Sequence, residues 1–417
     1  MLFEIIKIRA TVILTLLSSS LIGRGDSQCF SKNDRVSMPT SAEFSSVTDF
    51  ALDVHKELFP FNASGNYVVS PHALWKSLAL AYFGSSGNTQ VQLEDVLGAT
   101  DKISTLKIWS YLNRLYQSER NNTSGMLVDA KVYVEERRSL RPCVEEIIGD
   151  ALMTQNFSNV YKSTVEINNW IASSTGGQVR TLYQPEDLEG VNMLIASTGI
   201  HKGSWLYPFK KSASRSQPFY PGHDDYVDVT TMTQKGYFNY GESAELGAQV
   251  LELPYAGRTV SMYILLPPLN SGAVGIINTM KSLNPATLSR ALAEMQHAEI
   301  RVVLPKFKFQ YETDLELKKA LSRMGAKDLF NKEEADLTIF SPTGNLSVGH
   351  ITHKAFIAVD EGGVDAASAK TLDTSSYQAS GPLKQRVFVC NRPFLFLLMD
   401  KLASRILFIG AYRDPRE

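Results

Sequence analysis

The sequence predicts a single domain of the mixed α+β class. Helical periodicity dominates the first half, strand-like alternation dominates the second half, and the two kinds of segment do not alternate regularly as they do in parallel βαβ folds. The chain has 417 residues, 44% of them hydrophobic, which is enough for one large domain with a substantial core. We find no internal repeat and no linker.

The first half carries the clearest helical segments. Apolar residues recur at helical spacing in SSVTDFALDVHKELF, behind Ser, Thr and Asp residues that favour a helix start. The next segment, NYVVSPHALWKSLALAYFGSSGNTQVQLEDVLG, predicts a short strand, a helix starting at a Ser-Pro pair, a Gly-Ser turn and a second helix. Further along, TDLELKKALSRMG predicts a capped amphipathic helix that ends at Gly325.

The second half carries the strand-like segments. The segment QVLELPYAGRTVSMYILLPP predicts a hairpin around Ala256 and Gly257. Period-two alternation in EIRVVLPKFKFQYE predicts extended structure, and LSVGHITHKAFIAV also reads as extended.

The first 27 residues predict a secretory signal peptide. Lys7 and Arg9 precede an apolar run of about 14 residues, which is typical of such signals and too short to span a bilayer comfortably. We therefore expect residues 1–27 to be removed on export, residues 28–45 to form an N-terminal tail, and residues 46–417 to form a secreted, extracellular domain. No later apolar run reaches membrane-spanning length, so we expect no membrane partner.

The charge pattern excludes electrostatic binding as the main function. The chain has 42 basic and 43 acidic residues, interspersed, with a formal net charge of −1, so no bulk field favours nucleic acid or an anionic membrane. One segment that could bind a polyanion has only scattered basic residues, at Lys102, Lys107, Arg114 and Arg120. We expect a monomer that binds no nucleic acid and needs no cofactor.

The cysteines and glycosylation sequons fit an exported protein. The three cysteines, Cys29, Cys143 and Cys390, allow at most one disulfide and match no metal spacing. Cys390 lies in an apolar segment and is expected to be a small buried hydrophobe. Four N-x-S/T sites would lie at the surface if they carry glycans: Asn62, Asn122 (or the adjacent Asn121), Asn156 and Asn345.

No familiar catalytic or metal motif occurs in the sequence. It lacks G-x-S-x-G, a P-loop and H-E-x-x-H. His350 and His353 are spaced i, i+3 in an extended segment, so their side chains should point to opposite faces and not share a metal. His223, followed by Asp224 and Asp225, has no further His or Cys nearby and reads as a solvated loop. A scattered triad stays open at this point, but nothing favours an enzyme or a metal site.

Eight segments occur in a characteristic order along residues 46–415: NYVVSPHALWKSLALA with GSSGNT, INNWIASSTGGQVRTL, HKGSWLYPF, VLELPYAGRTVSMYILLP, VVLPKFKFQYETDLELKKALSRMG, ITHKAFIAVDEGG, FVCNRPFLFLL and ILFIGAYRDP. In this order they resemble the serpin family. The resemblance implies three β-sheets, about nine helices and an exposed reactive loop, at about residues 362–386, that can enter the largest sheet. It also implies a serine protease inhibitor, in which the protease attacks the loop, forms an acyl-enzyme and is carried across the molecule as the loop inserts.

The resemblance also assigns the hinge at which the loop begins. Glu361 matches the family's hinge glutamate, and the resemblance implies that Lys306 of LPKF pairs with it and holds the root of the loop. The two residues that follow, Gly362 and Gly363, supply backbone freedom for a hinge.

Beyond the glycines, the loop is built from small residues. If residues 363–370 form a strand with Asp365 facing solvent, Ala367 and Ala369 also face outward. A narrow strand suits entry between two strands that are already paired. The inward residues are Val364, Ala366, Ser368 and Lys370. Lys370 departs from the small residue usual in inhibitory serpins, since burying an unpaired ammonium is costly unless it snorkels.

The bond that a protease would cut is predicted by counting along the loop. The usual serpin distance from Glu361 places it between Tyr377 and Gln378. A tyrosine before the cut suits a chymotrypsin-like pocket. Lys384 and Arg386 would suit a trypsin-like protease, but they lie beyond the usual insertion length.

The resemblance further implies a polar cluster beneath the opening sheet. Ser70 and His353 match the family pattern, whereas Ser197 replaces a usual Asn and Ala73 a usual Ser. We therefore expect a thinner polar network than in most serpins.

Three functions remain open. A protease inhibitor would form a covalent complex with an extracellular serine protease, a non-inhibitory serpin used for binding, transport or chaperoning would be cut without trapping the protease, and a hydrolase would turn over substrate. The serpin segments favour the first.

Overall fold

The computed structural model describes residues 30, 34, 39–59, 65–119, 125–222, 225–362, 386–401 and 405–417. These residues contain nine α-helices and fourteen β-strands, which confirms the mixed α+β class. The helices are α1 (Ser41–Leu58), α2 (Pro71–Gly84), α3 (Gly87–Leu97), α4 (Lys102–Glu119), α5 (Pro142–Ile148), α6 (Val160–Ser174), α7 (Gly272–Ser282), α8 (Pro285–Ala293) and α9 (Leu315–Met324). The strands are β1 (Tyr67–Val69), β2 (Met126–Glu135), β3 (Leu152–Gln155), β4 (Met193–His201), β5 (Arg215–Phe219), β6 (Val227–Ser243), β7 (Ala248–Pro254), β8 (Val260–Leu266), β9 (Gln296–Pro305), β10 (Phe307–Thr313), β11 (His350–Val359), β12 (Arg386–Val389), β13 (Phe394–Asp400) and β14 (Arg405–Tyr412).

Hydrogen bonds join the strands into two sheets. The smaller sheet has five strands in the order β10-β11-β4-β2-β3. The larger has nine, and its long strand β6 pairs with β5 and β9 over most of its length and with β7 at its end. Strand β6 thus joins the group β5, β9 and β12 to the group β7, β8, β13, β14 and β1. If these two groups are counted as separate sheets, the structure has three sheets in all, as the family resemblance implies.

Helix α2 forms the centre of the core. It begins as predicted at a Ser-Pro pair, where the Ser70 hydroxyl accepts a hydrogen bond from Ala73 N–H at 3.2 Å and Pro71 takes the first helical position. All of its residues are buried, as expected for a helix that is apolar on every side. It ends at Gly84, where a Cβ atom would lie 1.9 Å from the Phe340 ring.

Strand β4 is covered on both faces. Its Ile195 belongs to the main hydrophobic core that contains α2, whereas Leu194 belongs to a second cluster with Ile167 and Ile171 of α6. Every residue of β4 is buried, because a strand packed on both faces presents a nearly continuous apolar run. The five-stranded sheet therefore lies between α6 and the main core.

Two predicted turns are confirmed, and one helix start differs. The hairpin β7–β8 turns through Gly257 and Arg258, both with positive φ, and α9 ends at Gly325 with φ 130°. At the start of α9, however, the Asp314 carboxylate makes no capping bond. It accepts from Ile351 N–H instead, and so ties the helix to β11.

The folded domain begins earlier than predicted. Helix α1 starts at Ser41, ahead of the boundary expected at residue 46. Phe30 is buried, with its ring 5.6 Å from that of Phe83. Part of the segment predicted as a tail is therefore packed against the core. The predicted signal peptide, residues 1–27, lies outside the described residues. No helix among the described residues is long and apolar enough to cross a membrane.

Candidate functional site

The candidate site lies where β11 meets β4, a junction that we call the seam. The two strands pair in parallel over eight residue pairs, from His350 opposite Leu194 to Ile357 opposite His201. Strand β11 ends at Val359, and the chain leaves the sheet through residues 360–362. A strand that entered between β4 and β11 would have to replace all of these contacts.

Just above the seam, Glu361 is held by two side chains. Lys306 Nζ lies 2.8 Å from Glu361 Oε2, and Ser214 Oγ donates to Oε1 at 2.7 Å. The ion pair expected from the sequence is therefore present. Burial alone would raise the pKa of Glu361, but the hydrogen bonds from Lys306 and Ser214 outweigh it and lower the pKa below its ordinary value. The carboxylate stays ionised although the side chain is only 7% exposed.

The backbone at this point is fixed as well. Trp205 Nε1 donates to the Asp360 carbonyl at 2.8 Å, and Phe209 N–H donates to the Glu361 carbonyl at 2.8 Å. The Trp205 indole stacks on Tyr255, with ring centroids 4.4 Å apart and planes inclined by 11°. We call Trp205, Phe209, Ser214, Lys306 and Glu361 the loop root, since together they fix the direction in which the chain leaves β11.

Beneath the seam, the predicted polar cluster is assembled. Ser70 N–H donates to His353 Nε2 at 2.9 Å, and Ser197 Oγ lies 3.0 Å from His353 Nδ1. Because Nε2 accepts, a neutral imidazole carries its proton on Nδ1 and donates it to Ser197. Ser70 Oγ donates to the Leu407 carbonyl at 2.8 Å. This histidine cluster (Ser70, Ser197 and His353) connects both strands of the seam to α2 and β14.

The imidazole of this cluster is fully buried. Burial lowers the pKa of His353 to about 3, although hydrogen bonding to the Ser197 backbone acts in the opposite direction. His353 is therefore neutral at physiological pH. Ala73, at the position where the family resemblance leads us to expect Ser, adds no hydroxyl to the network.

A glycine allows β4 to approach this cluster. A Cβ atom on Gly199 would lie 2.6 Å from Ser70 Cβ and 3.0 Å from the Phe408 ring. Real Cβ contacts are essentially never that short, so only glycine lets the strand lie this close to the start of α2.

Sequence reasoning missed another buried histidine, His201, at the end of β4. Neither of its ring nitrogens, nor the Tyr255 hydroxyl beside it, has a hydrogen-bond partner among the described residues. The two rings lie 4.5 Å apart, and burial lowers the pKa of His201 to about 3. His201 ends the apolar run MLIASTGIH and begins the serpin-like segment HKGSWLYPF, but neither pattern predicts whether its own side chain is buried.

Other predicted residues lie at one end of the seam or apart from it. His350 and His353 point away from each other as expected, since His350 Nδ1 lies 2.6 Å from Asp314 Oδ2.

Cys390 is a buried free thiol, as predicted, and Cys143 is disulfide-bonded. Asp225 pairs with Arg416 at 2.7 Å. Within the described residues, no group of three or more His, Cys, Asp or Glu side chains could hold a metal ion.

Two of the glycosylation predictions fall on described residues. Asn345 is exposed, whereas Asn156 is half-buried and its Nδ2 donates to Glu136 Oε1 at 2.5 Å. Glycosylation of all four sites stays a prediction. The remaining residues singled out in the sequence lie outside the described part of the chain and include Cys29, Asn62, Asn121, Asn122, His223, Asp224, Gly363, Val364, Asp365, Ala366, Ala367, Ser368, Ala369, Lys370, Tyr377, Gln378 and Lys384.

Comparison with known proteins gives a consistent assignment. The family described as Serpin (serine protease inhibitor) matches residues 45–415. Serine protease inhibitor 88Ea of Drosophila melanogaster is 31% identical over 88% of this chain and 90% of its own. Leukocyte elastase inhibitor of Homo sapiens is 29% identical over 89% of this chain and 99% of its own. The crystal structure of uncleaved ovalbumin matches 89% of this chain and all of its own with a TM-score of 0.78 at 26% identity. The chain therefore belongs to the serpin family of serine protease inhibitors.

Proposed function

We propose that this serpin is secreted and inhibits a chymotrypsin-like serine protease by cleavage of its loop after Tyr377, insertion of the loop into the seam and covalent trapping. The observation that carries this proposal is the direct parallel pairing of β11 with β4, next to the point where the chain leaves β11. The sheet thus has a place for a strand that the loop could supply.

Chain direction makes insertion favourable. A loop that turns back at the glycines after Glu361 runs antiparallel to β11, and hence also to β4, because those two strands are parallel. Insertion would replace one parallel pairing by two antiparallel ones, which are slightly more stable per residue. It would also pair backbone groups of the loop that water otherwise solvates. About 15 residues at about 3.3 Å each would carry the cut end roughly 50 Å.

The chemical step would come from the protease. Its serine oxygen attacks the Tyr377 carbonyl carbon, the bond to Gln378 nitrogen breaks, and that nitrogen leaves as an amine after taking a proton from the protease histidine. An ester then joins Tyr377 to the protease. Insertion before water hydrolyses this ester would move the protease away from the rest of the loop and distort its active site.

The structure argues against one alternative cleavage site. Arg386 begins β12, where it pairs in register with Ile300 of β9, and its guanidinium lies 5.6 Å from the centroid of the Tyr240 ring. A trypsin-like protease would have to unpair this strand to bind Arg386. Tyr377 lies well before the strand, and its aromatic ring suits an apolar specificity pocket.

A non-inhibitory binding, transport or chaperone serpin is the second candidate, and Lys370 favours it. Lys370 would lie on the inward face of the inserted strand, so its ammonium would enter the protein interior. If the ammonium cannot reach solvent, insertion would stall. The ester would then be hydrolysed, and the protease would leave the cut loop.

The two candidates are separated by incubation with chymotrypsin and, in a parallel sample, with trypsin. Denaturing gels would show whether a complex survives, and N-terminal sequencing would identify the cut. We expect a complex that resists denaturation with chymotrypsin and a new N-terminus at Gln378. Cleavage at Gln378 without a complex would favour the non-inhibitory serpin, and a cut elsewhere would refute the assigned bond.

A further inference from the structure

A cavity of about 410 Å³ lies on the α6 side of the five-stranded sheet, next to the loop root. Its lining comes from three neighbouring strands and the segment after α6: Lys202 follows β4, Phe356 lies on β11, Lys308 lies on β10, and Gln178 follows α6. This volume falls within the range typical of small-molecule sites.

The lining is positively charged. Lys202, Lys306 and Lys308 contribute three ammonium groups, whereas Asp360 contributes the only carboxylate of the lining. Lys306 is paired with Glu361. In the described part of the chain, no carboxylate lies within ion-pair distance of Lys202 or Lys308. The cavity thus has positive charge available for a ligand.

One wall of the cavity is apolar. The Phe356 side chain is 5% exposed, and Lys308 Nζ lies 5.5 Å from the centroid of its ring. The half-buried Ala358 extends this wall, whereas the Phe307 side chain packs in the main core on the other face of the sheet. A ligand with an aromatic or aliphatic group could pack here while its anionic group contacts the lysines.

From this combination we infer that the cavity binds a small organic anion, in which a phosphate, sulfate or carboxylate is joined to an apolar group. Lys202 and Lys308 lie on opposite sides of β11, one after β4 and the other on β10. An anion between them would link β4 to β10, which is paired with β11. Separation of β4 from β11 would pull these lysines apart, so the ligand would bind the closed sheet more tightly than the opened one and oppose insertion.

Calorimetric titration of the full chain with phenyl phosphate tests the site. We expect a dissociation constant of about 1 mM or tighter, with weaker binding of inorganic phosphate and no binding of benzyl alcohol. Lys202→Gln and Lys308→Gln should each weaken phenyl phosphate binding by about tenfold, since a charged hydrogen-bond partner is lost. Lys281→Gln, at an exposed position of α7, is the matched control and should bind like wild type.

Equal affinity of wild type and the Lys202→Gln/Lys308→Gln double variant would overturn the site, as would benzyl alcohol binding as tightly as phenyl phosphate. If the glutamine variants do not fold, as judged by circular dichroism, Lys202→Arg/Lys308→Arg keeps the charges. If the arginine variant still binds phenyl phosphate, the site is supported. If it binds phenyl phosphate only as weakly as wild type binds inorganic phosphate, the site is refuted.

The binding measurement does not depend on the proposed inhibition. Phenyl phosphate should also raise the midpoint of thermal unfolding of wild type and leave that of the double glutamine variant unchanged. If the protein binds phenyl phosphate but forms no covalent protease complex, the binding site is supported and only its effect on trapping is refuted. If the protein forms a covalent complex but does not bind phenyl phosphate, the proposed inhibition is supported and the binding site is refuted.

Discussion

Lys306 Nζ and Glu361 Oε2 lie 2.8 Å apart and connect two places where the chain leaves one element for another. Lys306 is the single residue between β9 of the nine-stranded sheet and β10 of the five-stranded sheet, whereas Glu361 follows β11. The pair therefore joins the start of the loop to the connection between the two sheets.

A double-mutant cycle with Lys306→Met and Glu361→Gln should give a coupling free energy of about 1 kcal/mol, modest because the Lys306 side chain is 37% exposed and water screens the pair. Denaturant unfolding measures it. The Arg290–Glu245 pair, with both side chains more than half exposed, is the matched control and should couple by less than about 0.5 kcal/mol. Equal coupling free energies in the two cycles would show that the Lys306–Glu361 pair stabilises the protein no more than an exposed ion pair does.

Mild acid should destabilise the protein through its buried histidines. Burial lowers the pKa of His55, His201 and His353 from 6.5 to about 3, so between these values the unfolded chain binds protons that the folded chain excludes. Stability is then full above pH 6.5 and falls as the pH drops towards 3, by about 1.4 kcal/mol per pH unit for each histidine. Unfolding free energies at pH 7 and 5.5 check this. His201→Phe should reduce the slope, and replacement of exposed His297 by Gln should not.

At neutral pH, His201→Phe should raise the free energy of unfolding by about 1 kcal/mol, because it removes ring nitrogens that are buried without a partner among the described residues. The ring still contacts Tyr255 and Phe408. Tyr255→Phe, which removes only the neighbouring unpartnered hydroxyl, is the companion variant. Lower stability of His201→Phe at pH 7 would mean that the imidazole makes a favourable interaction in this site.

Gly199→Ala should lower the free energy of unfolding by about 1–3 kcal/mol, since the new methyl group would overlap Ser70 and the Phe408 ring. Gly222→Ala is the matched control, because a Cβ atom there meets nothing within 4 Å, and its effect should stay within about 0.5 kcal/mol. Thermal or denaturant unfolding distinguishes them. If both variants are equally stable, β4 has room to move away from α2.

Lys370→Thr should raise the ratio of covalent complex to cleaved inhibitor at a fixed chymotrypsin concentration, because it removes an ammonium from the inward face of the inserting strand. Val364→Arg is the opposite control. It places a charge at the first inserting position and should abolish trapping while leaving cleavage intact. Equal ratios for wild type and Lys370→Thr would show that Lys370 reaches solvent, and absence of complex in wild type and Val364→Arg alike would show that this protease is not trapped by insertion.

The sequence predicted those parts of the site that lie within recognisable segments. The family resemblance could assign Lys306, in LPKF, and His353 and Glu361, both in ITHKAFIAVDEGG. Strand alternation predicted that His350 and His353 point to opposite faces. The connections between strands were not predicted. The segment EIRVVLPKFKFQYE alternates throughout, yet it forms β9 and β10 in different sheets. A period-two pattern indicates which face of a strand is buried, but it does not indicate to which sheet the strand belongs.

The partners from irregular segments could not be predicted. Ser214 lies between a short 3-10 helix and β5, and nothing in its neighbourhood distinguishes it from the chain's other serines. Its hydrogen bond to Glu361 depends on how distant segments pack. Phe209 lies in the serpin-like segment HKGSWLYPF, but it contributes through its backbone N–H, so the identity of its side chain did not indicate this role.

A cut after Tyr377 would leave two polypeptides, one that ends at residue 377 and one that contains residues 378–417, and the shorter one would carry β12, β13 and β14. Strand β13 lies between β8 and β14, and every residue of β13 and β14 is buried. The shorter piece would thus remain in place without a peptide link. Once denatured, the intact chain refolds in a process of a single molecule, whereas the two pieces must first find each other, so only the cut protein should refold faster when it is more concentrated.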